Sequence, residues 1–333
     1  LLAVLRAVQE GSTLKTLIVV SGGDAPGINA AMAAFVRRAE ANGDSVIGAV
    51  GGFPGVLDNQ IIPLSPGLLD PFVGQGGTYL DSSRDPVLKA ADAQERLRSQ
   101  LAAHNVDNVL LFGGDGTLRH IPPLLHDWGI PTVGIPSTID NDIPGTEMTL
   151  GFDSACNFAY RTIDGLLATA RALRGRIFTV ETLGGSTGFI ALAVAQGSAA
   201  HAALIPEYPY DEAGLIKQIM NGIQRDTYAL IVLSEGLPNR DTLPKLIEHA
   251  TGIRVRDTRL GHGQRGTPPS HQDRVLAAQM AVLAYETLRA GTIPMGIAVV
   301  RGGQVTLHEG ILTGFPARVP DETLYKQING VTA

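Results

Sequence analysis

Three short segments combine glycines, small hydroxyls and carboxylates at spacings that suit phosphate chemistry. The first is Ser21-Gly22-Gly23-Asp24-Ala25-Pro26-Gly27-Ile28-Asn29, between an apolar run and a stretch of helical period. Paired glycines let the backbone approach a phosphate, and a helix start adds N–H donors and partial positive charge. Taken alone, a plain tight turn explains this segment equally well. Its spacing matches neither GxxxxGK followed by Ser or Thr nor GxGxxG, which argues against both of those folds. The second segment, Gly113-Gly114-Asp115-Gly116-Thr117, follows the run Val109 to Phe112. Glycines around an acid clear room for a polyphosphate and leave a carboxylate able to hold Mg2+. This pattern indicates nucleotide phosphate without indicating an acceptor. The third, Pro136-Ser137-Thr138-Ile139-Asp140-Asn141-Asp142, ends the run Thr132 to Ile135. Carboxylates at i and i+2 on an extended segment point the same way. One of Asp140 and Asp142 is then expected to take a proton from an attacking hydroxyl while the other helps place the metal. A solvated Asx turn is the plainer alternative.

Such loops need strands behind them. Thr16 to Val20, Val109 to Phe112 and Ala229 to Leu233 are short apolar runs rich in β-branched residues, and they alternate with longer segments of helical period. That rhythm predicts βαβ units on mostly parallel sheets, an α/β fold whose ligands bind at the strand carboxyl ends. His271 to Gly291 carries Val275, Met280, Val282, Leu283 and Leu288 at roughly helical spacing and is expected to be a packed helix without chemistry.

Composition narrows the function classes. With 333 residues, 44% hydrophobic, the chain can bury two cores. A net charge of −6 with 17% charged residues leaves no basic surface for nucleic acid or a membrane, so small anions must be held by local groups. The single Cys156 excludes an intramolecular disulfide and a cysteine zinc site, in keeping with the cytoplasm. No apolar run reaches membrane-spanning length. Residues 1–14 form an expected N-terminal extension; they lack Met and a charged n-region, and are read as a cut end or linker and not as a signal peptide.

From about Lys15 onward, SGGDAPGINAAM, GGTYLDSSR, GGDGT, GIPSTIDNDIPGTEMTLGF and LGHGQRG follow one another in an order that resembles the ATP-dependent 6-phosphofructokinase family. The resemblance implies two Rossmann-like lobes with the active site in the cleft between them. The larger, ATP-binding lobe would comprise 15–151 plus 264–313, and the smaller, sugar-phosphate-binding lobe 152–263 plus 314–333. It also implies ATP as phosphoryl donor, Mg2+ as cofactor and fructose 6-phosphate or a similar sugar phosphate as acceptor. By resemblance Gly23, Gly114, Gly116 and Thr117 line the ATP phosphates, Asp115 holds Mg2+, and Arg84 bridges the transferred phosphoryl group. Thr138, Asp140 and Asp142 match the reaction centre, with Asp140 as general base. Leu183, Gly184 and Glu235 would meet the sugar, and Arg176, Arg256, His262 and Arg265 would grip it and its 6-phosphate. Arg176 and Arg256 are expected to cross a subunit interface in a homodimer or homotetramer.

The sequence departs from that family at several positions. Pyrophosphate-using relatives carry Asp where this chain has Gly116 and Lys where it has Ser137; ATP enzymes usually have Gly at the latter position. After Leu183-Gly184 the family commonly has Arg, and this chain has Gly185, which removes a charge from the transition state unless Arg171 or Arg174 replaces it. Ala33 stands where effector-regulated enzymes carry an arginine, with Arg37 one turn later. Three other readings stay open on these grounds: a kinase for another sugar phosphate, a lipid or NAD kinase sharing only GGDGT, and a non-catalytic, effector-binding half of a tandem phosphofructokinase.

Overall fold

The inner strands of this chain read as nearly unbroken apolar runs because both of their faces are covered. In β1 (Lys15–Ser21), for example, Leu17 to Val20 are all fully buried. The computed structural model describes residues 13–83, 88 and 90–330. Of the expected N-terminal extension, residues 1–12 lie outside the described residues, whereas Leu14 is buried and its N–H donates to Asp44 Oδ1 at 2.9 Å.

The elements in chain order are β1 (Lys15–Ser21), α1 (Ile28–Ala41), β2 (Ser45–Ala49), α2 (Gly52–Leu57), β3 (Ile61–Leu64), α3 (Ala91–Ala103), β4 (Asn108–Gly113), α4 (Asp115–Asp127), β5 (Thr132–Pro136) and α5 (Phe152–Ala172). There follow β6 (Arg176–Thr182), α6 (Phe189–Gly197), β7 (Ala202–Leu204), α7 (Glu212–Asp226), β8 (Tyr228–Ser234), α8 (Leu243–Thr251), β9 (Val255–Arg259), α9 (His271–Ala290), β10 (Met295–Arg301), β11 (Gln304–Glu309) and α10 (Glu322–Ile328). The runs read as strands from sequence all fall inside β1, β4, β5 and β8. Contacts divide the chain into a first unit, residues 1–138, 143–153 and 265–317, and a second unit, 139–142, 154–264 and 318–333. The four residues 139–142, which sequence boundaries put in the larger lobe, go with the second unit.

The first unit holds a seven-stranded sheet in the order β11-β10-β5-β4-β1-β2-β3, parallel except at the two edges. On one face Leu17, Val19, Val109, Leu111, Ile297 and Val299 pack against Phe53 and Val56 of α2, Leu97 and Leu101 of α3, and Leu118 and Leu125 of α4. Elsewhere in this unit α9 lies against α1, with Tyr285 edge-on to Phe35. Here the structure corrects the sequence reading of α9. Its buried face carries Ala277, Met280, Ala281, Ala284 and Leu288, whereas Val275 and Val282 are exposed. Small alanines let α9 approach the equally alanine-rich α1, so close packing outweighs the size of the valines.

The second unit holds a parallel four-stranded sheet, β7-β8-β6-β9. Ile177, Ala229, Ile231 and Leu233 pack there against Leu215 and Ile219 of α7 and Leu243 and Ile247 of α8. The returning tail is tied to this unit at several points. The Asn329 carboxamide pairs with both backbone groups of Ala203 on the edge strand β7, at 3.0 and 2.9 Å. Gln218 Nε2 donates to the Ile328 carbonyl at 2.7 Å, and the Tyr208 hydroxyl to the Pro320 carbonyl. Tyr325 is buried, and that burial, with Tyr210 nearby, pushes its phenol up to about 12.

The raised phenol has a signed consequence. Below pH 10 Tyr325 is protonated in both the folded and the unfolded chain, and its stabilisation is complete. Between pH 10 and about 12 the unfolded chain alone gives up the proton, so stability falls as pH rises. Tyr325→Phe is expected to remove about 1 kcal/mol of the loss between pH 9 and pH 11, read as a difference in denaturation midpoints. An equal pH slope in both proteins would contradict it.

Candidate functional site

In the first unit the β1 and β4 turns are built against each other. Ser21 pairs in register with Gly113, and the Thr117 hydroxyl donates to the Ser21 carbonyl at 3.2 Å. A Cβ on Gly113 would sit 2.6 Å from Thr117, so only glycine permits this approach. Gly22 has φ +115°, outside the comfortable range of an L side chain, and its N–H donates to the Ser83 carbonyl at 2.9 Å. Gly23 lies in the same turn, which leads into α1. Arg84 lies outside the described residues.

Gly114 caps α4, and no described residue lies within 4 Å of a Cβ built on Gly114 or Gly116. The helix start thus offers first-turn N–H groups to an anion. Asp115 accepts from Arg119 Nε at 2.7 Å on each carboxylate oxygen. One half-exposed carboxylate beside a helix start suits an Mg2+ that would arrive with phosphates and keep part of its water, and in this structure Arg119 is its partner. Among the described residues no three His, Cys, Asp or Glu side chains cluster.

β5 carries the third segment. The Ser137 N–H continues the ladder to the Gly113 carbonyl at 3.0 Å, and the Thr138 carbonyl accepts from the Thr149 hydroxyl at 2.6 Å. Ser137 Oγ is buried without a hydrogen-bond partner among the described residues. Beyond Thr138 the chain is not extended. Ile139 and Asp140 form a turn and Asn141 has φ +55°, so the i, i+2 rule does not set the directions of Asp140 and Asp142. Asparagine tolerates the left-handed region that most residues avoid, and Asn141 completes the turn here.

The second unit brings Asp140 together with the loop after β6 and with the end of β8. A Cβ on Gly185 would lie 3.4 Å from Asp140 Oδ2. The N–H groups of Gly184 and Gly185 donate to Glu235 Oε1 at 3.1 and 2.8 Å, while the Glu235 N–H donates to the Thr182 carbonyl at 2.9 Å. Gln264, fully buried, joins this loop to the segment carrying His262. Its Oε1 accepts from the Leu183 N–H at 2.7 Å and its Nε2 donates to the Ala155 carbonyl at 3.2 Å. Sequence reasoning passed over Gln264, although it stands inside LGHGQRG between His262 and Arg265.

Arg176 is not at this end of the sheet. It opens β6, about 20 Å of strand away from Leu183. Arg256 pairs in register with Phe178, also toward the amino end. His262 is exposed, and Arg265 belongs to the first unit. Two kinds of arginine can be told apart. Arg240 and Arg259 are engaged by Glu181, at 3.2 and 3.7 Å, and Arg259 also by Asp241 at 2.8 Å. Burial raises the Glu181 carboxyl above its ordinary value, with both arginines pulling the other way. By contrast, Arg256 Nη1 and Arg265 Nε are buried atoms without a partner among the described residues. Buried guanidinium donors of that kind suit an arriving oxyanion.

Comparison with known proteins places this geometry. A family model described as Phosphofructokinase matches residues 15–288. An ATP-dependent 6-phosphofructokinase of Lysinibacillus sphaericus is 36% identical over 319 residues, 95% of this chain and 99% of the relative. One of Bacillus cytotoxicus is 38% identical over 275 residues, 82% of this chain and 86% of the relative. Among solved structures, Pichia pastoris phosphofructokinase in the T-state superposes with a TM-score of 0.84 at 25% identity; 90% of this chain covers 35% of that longer one. A pyrophosphate-dependent phosphofructokinase from Marinobacter aquaeolei shares the fold with a TM-score of 0.80 at 22% identity, covering 92% of this chain and 86% of that one. Among the described residues no helix is long and apolar enough to cross a membrane.

The Gln264 bridge can be tested by stability. Gln264→Leu keeps the volume but leaves the buried Leu183 N–H and Ala155 carbonyl unpaired, which is expected to cost about 2–4 kcal/mol in chemical denaturation. A loss below about 1 kcal/mol would mean that those groups find other partners.

Proposed function

The chain belongs to the phosphofructokinase family, and on that premise we propose that it transfers the γ-phosphoryl group of ATP to fructose 6-phosphate, giving fructose 1,6-bisphosphate and ADP, with Asp140 as the general base. The observation that carries the reading of Asp140 is its carboxylate over the open face of Gly185, beside a Glu235 oriented by two backbone N–H groups.

Asp140 takes the proton of the sugar 1-hydroxyl as that oxygen bonds to the γ-phosphorus. The bond from phosphorus to the β–γ bridging oxygen breaks, and ADP leaves. The α4 start with Gly114, Gly116 and Thr117, and the turn carrying Gly23, serve the ATP phosphates. Asp115 is the residue that would hold Mg2+, which neutralises phosphate charge when bound. Thr138 and Asp142 complete the reaction centre in this reading, and Glu235 takes sugar hydroxyls. His262 and Arg265 meet the sugar phosphate.

Arg176 and Arg256 sit toward the amino ends of their strands, away from Glu235 and Gly184. That placement supports their serving the acceptor of a second copy of the chain, in a homodimer or homotetramer. Gly116 and Ser137 support ATP over pyrophosphate, since neither offers the Asp or Lys of pyrophosphate-using relatives.

Release of ADP, coupled to a recording enzyme, tests the reading. ATP with fructose 6-phosphate is expected to sustain turnover, and pyrophosphate in place of ATP is not. Asp140→Asn keeps the shape but cannot accept the proton, so kcat is expected to fall by about 10²-fold or more with KM for ATP nearly unchanged. A fall smaller than about tenfold would identify another base.

Gly185 yields a second test. Its φ of +61° penalises any side chain by about 1–2 kcal/mol, so Gly185→Ala is the proper reference for Gly185→Arg. If the missing guanidinium limits catalysis, Gly185→Arg exceeds Gly185→Ala in kcat on fructose 6-phosphate at similar KM. Equal kcat in the two variants would show that position 185 needs no charge in this enzyme.

A further inference from the structure

We propose that Arg318 is a positioning residue for the general base, acting through Asn141 to fix the turn that carries Asp140 and Asp142. The inference rests on Asp140 being that base.

Asn141 lies between the two carboxylates, only 3% exposed, with φ +55°. A turn in that conformation is strained for most residues, and rotation about it would swing Asp140 relative to Asp142. Arg318 Nη1 donates to the Asn141 carbonyl at 2.6 Å and to its Oδ1 at 3.0 Å. One guanidinium therefore restrains both the peptide plane after Asn141 and the Asn141 side chain, with charge-assisted bonds. The guanidinium carbon is itself held 4.8 Å over the ring of Phe189, the first residue of α6. Arg318 is also the first residue of the tail that belongs to the second unit. A catalytic turn thus leans on a helix through one side chain from the far end of the chain.

Anchoring the tail is the competing role, and the structure separates the two. Asn329, Gln218 and Tyr208 already bind the tail to the second unit without Arg318. Removing the Arg318 donors should therefore leave the tail docked and loosen the turn.

Steady-state kinetics with ATP and fructose 6-phosphate, together with thermal denaturation, tests the proposal in Arg318→Met, Arg318→Lys and Asp140→Asn. Methionine keeps an apolar stem over Phe189 but donates nothing. For Arg318→Met kcat is expected to fall about tenfold or more, since small misplacement of a catalytic group is costly, with KM for ATP within about twofold. Arg318→Lys is expected to recover part of the loss, because both bonds leave one nitrogen, Nη1, and an ammonium can supply them but without the planar group held over Phe189. On an Asn141→Gly background, where glycine takes the left-handed turn unaided, the further loss from Arg318→Met should shrink to about twofold.

The proposal is overturned if Arg318→Met keeps kcat within about twofold, if it raises KM for the sugar phosphate with kcat unchanged, or if its loss is the same on the Asn141→Gly background. Should Arg318→Met fail to fold, Arg318→Leu, which also donates nothing, is judged by the same kinetics, and unchanged kcat there overturns the proposal. Asp140→Asn keeps the two readings apart. High turnover in that variant rejects Asp140 as base, whereas a large loss there beside an active Arg318→Met rejects only the role of Arg318.

Discussion

In-register parallel pairing at one row of the first sheet underlies the placement of the three glycine- and carboxylate-bearing turns. Ser21 stands opposite Gly113, and Gly113 opposite Pro136, so three motifs far apart in sequence leave their strands at the same height. A slip of one residue in β4 would turn Phe112 and Leu111 to the wrong faces and move Gly113 away from the Ser21 carbonyl at once. The second sheet repeats the arrangement. Thr182 pairs with Ser234, and the Glu235 N–H continues the ladder to the Thr182 carbonyl, so Leu183 and Glu235 emerge side by side. Chemistry gathers at these edges because parallel strands all end on one side.

Much of this was legible in the sequence, for a physical reason. Strands covered on both faces must be apolar throughout, so Val109 to Phe112 and Ala229 to Leu233 announce themselves without neighbours. Glycines forced by close approach, such as Gly113 against Thr117, are equally visible as motifs. Features set by distant partners were not legible. The turn at Asn141 depends on Arg318, 177 residues away, and nothing around Arg318 in the sequence marks it. The buried face of α9 depends on α1, whose alanines reward a small partner over the larger valines. Asp115 looked like a bare metal ligand, and only the fold pairs it with Arg119 one turn on.

Charge is handled locally throughout. The chain carries a net charge of −6, so no general positive field draws phosphates in. Attraction must come from single buried donors and from helix starts, and the arginines are sorted accordingly. Arg240 and Arg259 are neutralised beside Glu181, Asp241 and Asp257, where they complete a structural network. Arg256 and Arg265 keep buried nitrogens without partners among the described residues, an arrangement that suits an anion binder.

The path of the backbone bears on how such a molecule can change over generations. The chain passes from one unit to the other at 138/139, 142/143, 153/154, 264/265 and 317/318, so each unit is assembled from three separate stretches. No single crossover in the gene can exchange one unit for a foreign counterpart and leave the other intact. Shuffling of modules is closed to this architecture. What remains open is copying of the whole coding sequence followed by point substitution, in which a turn such as 139–142 must stay compatible with both of the bodies it joins.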